Sequence, residues 1–410
     1  MVKKNKSRFL KYFLGIILVG VSLFILMHVG EANFGSIHFT KAAGAAVAVS
    51  PTAQKVHILI VPGHEPSDGG TQFDSPYGML YERDMTVELG QDLESYLQNY
   101  GKYQVDITRD TLTWSPVFAS YFQNDWNAIT SWEQAAKANY ATGTGAEELD
   151  ADNTEIHNNA TVDVALRLYG IVKWSDENNV DLMIHVHFNN YPGSPAKVAG
   201  KYSGMVMYIP AGEYANSSAT TPIANALFKR LSLYNPLSNL PVEKGGIIAD
   251  PELIATGAYN TANMPSILIE YEYIYEPQLV NPATRSLAIK DLAYQTYLGL
   301  EDYFTQNTNV SVENNYNPST LYTWNGLGTN KNSTSTDIYA LQTALIMDGD
   351  YPPAGKTMNA CPHSGTFGAC TESALKAFQN KNGITGETNV VGEKSFKILN
   401  AIYSGNASSS

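Results

Sequence analysis

Cysteine is nearly absent from this chain of 410 residues, with only Cys361 and Cys370 near the C-terminus. Neither a four-cysteine zinc site nor a framework of several disulfides can therefore organise the main fold. Charge is also sparse, at 16% of residues, and 26 basic residues face 39 acidic ones for a net charge of −13. Because nucleic-acid surfaces need clustered cations, this balance argues against a DNA or RNA partner.

Apolar and aromatic residues are plentiful by contrast. Hydrophobic residues make up 44% of the chain, which includes 26 Tyr, 14 Phe and 5 Trp. This composition supports a packed core and excludes wholesale disorder. At about 150 residues per domain, the length allows two domains, one of them large.

The N-terminus has the pattern of an export or anchoring segment. Five basic residues lie within the first eleven, and the charge-free apolar run Tyr12–Val29 follows. We predict a membrane anchor or signal segment over 1–30, with the rest exported to the cell wall or periplasm, either tethered or secreted. Whether the segment is cleaved stays open, and a buried helix of the globular domain is the alternative. Residues 31–55, rich in small side chains, are predicted to be a linker.

Residues 56–305 alternate short β-branched runs with longer amphipathic stretches, which predicts an α/β domain with a mostly parallel sheet flanked by helices. The expected strands are Val56–Val61, Gln104–Thr108, Val180–Val186, Gly204–Ile209 and Ser266–Ile269. The expected helices are Glu82–Asn99, Asn159–Glu177, Thr221–Leu231 and Pro282–Tyr303. Residues 111–156 fit neither pattern and are interpreted as an aromatic-rich insertion with no assigned chemistry.

The last quarter of the chain differs in composition from the α/β part. Residues 306–336 are dominated by Asn, Thr and Ser, which indicates a linker too poor in apolar residues to dock its neighbours. Residues 337–403 carry three short apolar faces and are predicted to be a small all-α domain that folds by itself. The faces are Ile338/Leu341/Leu345, Ala374/Leu375/Phe378 and Phe396/Leu399/Ile402.

Histidines and carboxylates follow the predicted strands. His64 comes directly after the first strand, Glu82 opens the first helix, His185 and His187 lie on one face of the third strand, and Glu270 ends the fifth. The carboxyl ends of parallel strands share one edge, so these side chains are expected to meet. Two histidines and one glutamate make a usual zinc triad with a position open for water, and a further carboxylate would serve as general base.

Five short motifs occur in an order that resembles a known family. They are Pro62-Gly63-His64, Glu82-Arg83-Asp84, Thr108-Arg109-Asp110, His185-Val186-His187-Phe188-Asn189 and Pro265-Ser266-Ile267-Leu268-Ile269-Glu270. Over about 56–305 the chain resembles the zinc-dependent N-acetylmuramoyl-L-alanine amidases of the AmiC-like type. The resemblance implies Zn²⁺ held by His64, Glu82 and His187, with Glu270 as the catalytic carboxylate. It also implies that the substrate is peptidoglycan, cleaved between the lactyl group of N-acetylmuramic acid and the first L-alanine of the stem peptide.

The segment 337–403 resembles the small peptidoglycan-binding three-helix module, which implies attachment to the wall. A structural domain without a ligand is the alternative. Cys361 and Cys370 lie in this segment, where an exported chain would join them in a disulfide; two reduced thiols are the alternative. No motif indicates the oligomeric state.

Three residues depart from the family pattern. Glu65 and Glu272 stand where glycines are usual, and His185 replaces a serine and could compete with His187 as a ligand. These departures support an alternative of another class, a catalytically silent wall-binding or regulatory protein that keeps the fold. A zinc hydrolase acting on another amide is a third possibility.

Overall fold

The computed structural model describes residues 55–99, 102–142, 160–191, 196–305, 322–324, 332–387 and 390–403. The predicted anchor or signal segment, most of both predicted linkers and part of the 111–156 insertion lie outside these residues. Among the described residues, no helix combines the length and apolar character needed to cross a bilayer.

A six-stranded sheet forms the centre of the α/β part, in the order β4-β1-β5-β8-β6-β7. Its strands are β1 (Val56–Pro62), β4 (Tyr103–Ile107), β5 (Leu182–Asn189), β6 (Val206–Pro210), β7 (Ile247–Asp250) and β8 (Ser266–Tyr273). All neighbours are parallel except β6 and β8, which are antiparallel. The predicted mostly parallel sheet is thus confirmed, and each of the five predicted strands is present with bounds shifted by a few residues.

Three short strands were not predicted. A hairpin of β2 (Gln72–Ser75) and β3 (Gly78–Tyr81) lies between β1 and the first helix, and β7 forms an edge of the main sheet. Each has four residues, too few for an alternating pattern to stand out.

Helices cover both faces of the sheet. They are α1 (Glu82–Asn99), α2 (Pro116–Thr142), α3 (Val162–Glu177), α4 (Ser217–Leu231), α5 (Pro277–Val280) and α6 (Pro282–Phe304). Leucines of α1, α4 and α6 pack on one face, among them Leu89, Leu227 and Leu292. On the other face α3 and α2 pack against residues of β1 and β5 such as Leu59 and Met183.

Helix α2 lies within residues 111–156, where the sequence pattern indicated no definite strand or helix. It is 27 residues long, yet only Phe118, Phe122 and Ile129 are buried. Its core-facing positions are few and mostly aromatic, so the helix lacks the continuous aliphatic stripe that reveals a helix in a sequence.

Three further helices follow, α7 (Thr336–Met347), α8 (Ala369–Lys381) and α9 (Glu393–Tyr403). They enclose a second core that contains Leu341, Leu345, Leu375, Phe378 and Leu399. The predicted helical C-terminal part is confirmed, although Ile402 is half exposed and Tyr403 takes the buried position instead. A disulfide joins Cys361 to Cys370, as expected for an exported chain.

The expectation that the helical part stays undocked is wrong. Tyr339 of α7 belongs to the main core, and its hydroxyl donates to Asp291 Oδ2 of α6 at 3.4 Å. Asn359 donates to the carbonyl of Leu237 at 2.6 Å and accepts from its amide at 3.2 Å. Docking therefore comes from α7 and the loop after it, so the composition of the linker does not decide it.

Candidate metal centre and active site

The predicted site residues meet at the carboxyl ends of β1, β5 and β8. His64 follows β1, His187 lies in β5, and Glu270 of β8 is opposite His187 in the strand register. Glu82 is the first residue of α1, which begins beside this edge. Parallel strands bring such residues together whatever their separation in sequence, and the four predicted site residues meet at this edge.

The carboxylate of Glu82 bridges the two histidines. His64 Nε2 lies 2.7 Å from Glu82 Oε2, and His187 Nδ1 lies 3.0 Å from Glu82 Oε1. The backbone amides of Thr71 and Phe188 donate to the same carboxylate at 3.0 and 3.1 Å. A set of potential ligand atoms, one from each of the three side chains, lies within 4.8 Å of one another. Two imidazole nitrogens and one carboxylate oxygen at this spacing fit a zinc ion.

Electrostatics favour an ionised Glu82. Burial alone would raise its pKa, but His64 and His187 hold the pKa of this carboxyl well below its usual range. Burial in turn lowers the pKa of His64, and the facing carboxylate of Glu82 more than reverses that effect, so the pKa of His64 is raised. The cluster is therefore a preformed arrangement of one anion and two imidazoles.

The loop that presents His64 has an unusual backbone. His64 has φ +64°, in the left-handed region that few non-glycine residues adopt. A Cβ on the preceding Gly63 would lie 2.4 Å from the His187 ring. The glycine of the Pro-Gly-His motif is thus required because the His187 ring lies directly against its backbone.

Arg109 holds this loop in place, a role that the sequence did not reveal. The side chain is almost fully buried, and its Nε donates to the carbonyl of His64 at 2.8 Å. Its Nη2 donates to the carbonyls of Gly63 and, at 3.1 Å, Arg83 in the first turn of α1. One guanidinium therefore links the loop of His64 to the helix that begins with Glu82. The signal available was a charged residue directly after the predicted strand Gln104–Thr108.

Glu270 lies next to the His64, Glu82 and His187 cluster. It is buried and lines a cavity of about 460 Å³ together with His64, Glu82 and His187. Burial raises its pKa well above the usual range, and the nearby carboxylates of Glu82 and Glu243 add to the effect. Such a carboxyl holds a proton more readily than a surface glutamate does, as a group that exchanges protons near neutral pH must.

Glu243 is a second buried carboxylate that sequence reasoning missed. It accepts hydrogen bonds from Asn189 Nδ2 at 2.9 Å, Tyr208 OH at 3.1 Å and Tyr273 OH at 3.2 Å, and from Ser238. It thereby fixes the amide of Asn189, which lines the cavity. Glu243 lies in a short 3₁₀ turn that no motif marks.

His185 and Glu272 stay outside the ligand cluster. Burial, with a smaller effect from His187, lowers the pKa of His185 to about 3, so its imidazole is neutral. Between His187 and Asn189 the register with β8 slips by one residue, a β-bulge. Glu272 lies at this bulge, does not line the cavity and accepts a hydrogen bond from Gln278 at 2.5 Å.

The third departure, Glu65, does line the cavity. Its carboxylate pairs with Arg167 of α3, whose Nη2 donates to Oε2 at 2.9 Å. None of the three departures removes a member of the His64, Glu82 and His187 cluster. The structural support that they gave to a catalytically silent protein is therefore lost.

A His-Glu-His cluster and a buried glutamate at the carboxyl edge of an α/β sheet offer the set of side chains that metal-dependent hydrolases use. The family comparison is more specific. The model of the N-acetylmuramoyl-L-alanine amidase family matches residues 58–302, and the chain belongs to this family.

Solved amidases are similar to part of the chain. An N-acetylmuramoyl-L-alanine amidase from Clostridium difficile 630 is 14% identical with a TM-score of 0.37, covering 62% of this chain and 98% of its own. The amidase Ami1 from Mycobacterium smegmatis is 12% identical with a TM-score of 0.39, covering 62% and 100%. AmiC2 of Nostoc punctiforme is 17% identical with a TM-score of 0.36, covering 62% and 98%. No curated protein matches the chain.

Proposed function

We propose that this protein is a zinc-dependent amidase of peptidoglycan, which hydrolyses the amide between the lactyl group of N-acetylmuramic acid and the first L-alanine of the stem peptide. The observation that carries the proposal is the convergence of His64, Glu82 and His187 within 4.8 Å, beside the buried Glu270. The family supports the substrate, because the fold alone does not define one.

Each site residue has a definite part in this reaction. His64, Glu82 and His187 would hold the zinc ion. The chemistry that zinc supplies in such a site is polarisation of a carbonyl group and a lowered pKa of water. Glu270 accepts a proton from the attacking water and delivers it to the leaving amine, which its raised pKa favours. Arg109 keeps the loop of His64 and the start of α1 in register.

The remaining parts of the chain extend the proposal to its place of action. Residues 1–30 direct export or anchor the protein, so that it acts outside the cytoplasm. Residues 337–403 bind peptidoglycan and raise the local concentration of the enzyme on the wall. Pull-down of the full chain with insoluble wall, against a chain that ends at residue 305, tests the binding. Equal retention of both would make the helical part a structural appendage.

The test of the metal site compares three histidine variants. His64→Ala and His187→Ala are expected to lose zinc, measured by elemental analysis of purified protein, and to release no new N-terminal alanine from purified wall. His185→Ala is the matched control, since it removes an imidazole from the same strand without touching the cluster, and it should keep about one zinc per chain. Stoichiometric zinc in both ligand variants, or zinc loss in His185→Ala alone, would overturn the assignment.

A further inference from the structure

An ion pair on the wall of the cavity has no part in the proposed chemistry. Arg167 of α3 donates from Nε to Glu65 Oε1 at 2.5 Å and from Nη2 to Glu65 Oε2 at 2.9 Å. The Glu65 side chain is 9% exposed and that of Arg167 is 23% exposed. Both residues line the cavity that contains the metal cluster. Glu65 is also the residue immediately after His64, so the pair lies close to the reaction centre.

A second contact fixes the guanidinium from another direction. Its central carbon lies 5.7 Å from the centre of the Trp126 ring, on the helix α2 that the insertion forms. Arginine stacked on an aromatic ring and held by a carboxylate through two nitrogens has little freedom left. The third nitrogen, Nη1, makes no hydrogen bond to the part of the chain that the structure describes.

The charged side chains around the cavity set Nη1 of Arg167 apart from the other polar groups there. Carboxylates of Glu65, Asp68, Glu82 and Glu270 line the cavity, whereas Arg167 is the single lysine or arginine among its described lining residues. An anionic group of a substrate would find no other permanently cationic side chain among these described lining residues. Near Arg167 it would find an oriented N–H donor on a permanent cation, the kind of group that binds carboxylates best.

We propose that Arg167 determines specificity by binding a carboxylate of the stem peptide beside the scissile amide, with Glu65 and Trp126 holding its guanidinium in position. The inference rests on the proposed function and deepens it by naming a substrate class: peptides whose second residue keeps its free carboxylate. It assigns a use to Glu65 and to the aromatic helix α2, the two features of the sequence that the reaction itself does not need.

The test compares two muramoyl dipeptides that differ at one group. Their second residue is glutamate, joined through its side chain, with its α-carboxyl group either free or converted to the amide. The zinc-loaded full chain is expected to cleave the free acid with a kcat/KM about 10- to 100-fold higher, because a charge-assisted hydrogen bond is worth roughly that factor. The preference should appear mainly in KM, since the contact exists before and during the reaction.

Arg167→Gln is expected to lower kcat/KM for the acid about 10- to 100-fold and to bring it close to the value for the amide. Arg167→Lys should fall between, because an ammonium keeps the charge but lacks the planar fork. Lys173→Gln is the matched control. It removes one cation from the same helix, where Lys173 pairs with Glu177 outside the cavity lining, and should leave the preference for the acid unchanged.

The outcomes separate this inference from the proposed function. No cleavage of either dipeptide or of purified wall by zinc-loaded protein would reject the proposed function, and the inference with it. Cleavage of both dipeptides at equal rates by the unaltered protein would reject the inference alone, even if the Arg167 variants fail to fold. Equal losses on both dipeptides in Arg167→Gln would show that the ion pair only holds the loop of His64.

Discussion

Two buried carboxyl groups, in different regions of this molecule, have pKa values that are shifted in opposite directions. At the sheet edge, Glu82 faces the imidazoles of His64 and His187, which keep its pKa low despite burial. Where α6 meets α7, Asp291 receives hydrogen bonds from the Gln295 amide at 3.2 Å and from the Tyr339 hydroxyl at 3.4 Å, and its pKa is raised to about 6.

The difference teaches how to tell a buried acid that can stay an anion from one that holds its proton. Burial raises the pKa of every carboxyl, so the outcome depends on whether cations or neutral donors face it. Glu82 can remain an anion, as a metal ligand must. Burial raises the pKa of Glu272 well above the usual range, as it does for Glu270, so both belong to the group that holds a proton. The sequence shows all of these only as glutamates and aspartates near apolar residues.

The largest effect is expected for Glu270→Gln. Loss of a general base should lower kcat about 10²- to 10⁴-fold while zinc content and the free energy of unfolding stay close to those of the unaltered protein. Activity on purified wall, measured as new N-terminal alanine, is the readout. Glu272→Gln is the matched control on the same strand and should keep kcat within a few-fold. If the control loses as much as Glu270→Gln, the assignment of the base to Glu270 is wrong.

Tyr339→Ala should lower stability and leave activity unchanged, the reverse of the result expected for Glu270→Gln. Removing a large buried aromatic side chain from the contact between α7 and the main core is expected to lower the free energy of unfolding by about 3 kcal/mol. The folded variant should retain its kcat, because Tyr339 does not line the cavity. Urea unfolding followed by both fluorescence and activity is the measurement.

Tyr77→Ala serves as the control for this experiment, since Tyr77 is 61% exposed and its loss should change stability by less than about 0.5 kcal/mol. In Tyr339→Ala, the helical part could unfold in a separate transition at lower urea concentration while the midpoint for loss of activity stays unchanged. That result would show that the contact between α6 and α7 contributes nothing to the stability of the α/β part.

The smallest effect is expected for Asp291→Asn, and it depends on pH. Burial raises the pKa of Asp291 to about 6, above its value of about 3.9 in the unfolded chain. A raised pKa in the folded state means that stability is lost as the pH increases from about 4 to about 6. Asparagine does not titrate, so the variant should gain about 1–3 kcal/mol relative to the unaltered protein between pH 4 and pH 7.

Urea unfolding of both proteins across this range is the test. Because Asn281→Asp would only add a partly exposed carboxylate at a helix N-terminus, it is a control whose stability should not follow the same pH dependence. A constant difference between Asp291→Asn and the unaltered protein from pH 4 to pH 7 would show that Asp291 is not a buried titrating group.

The sequence predicted which of the candidate site residues lie together because local patterns mark them. His64 and Glu270 stand at the ends of buried apolar runs, and Glu82 opens an amphipathic helix, so strand ends alone place them at one edge. Glu243 was not identified from the sequence because its partners Asn189, Tyr208 and Tyr273 come from three separate strands. Arg167 escaped for the same reason, since its partner is 102 residues earlier in the chain.

By itself, the sequence determined the kind of elements, the mostly parallel sheet and the edge where the ligands meet, because periodicity and strand ends are properties of short segments. Tertiary structure alone decided that the helical part docks through Tyr339, that a β-bulge leaves Glu272 outside the cavity, and that Glu65 holds Arg167. These features depend on contacts between segments that are distant in sequence. The energy of such a contact depends on both segments, so the residue pattern of one segment does not predict it.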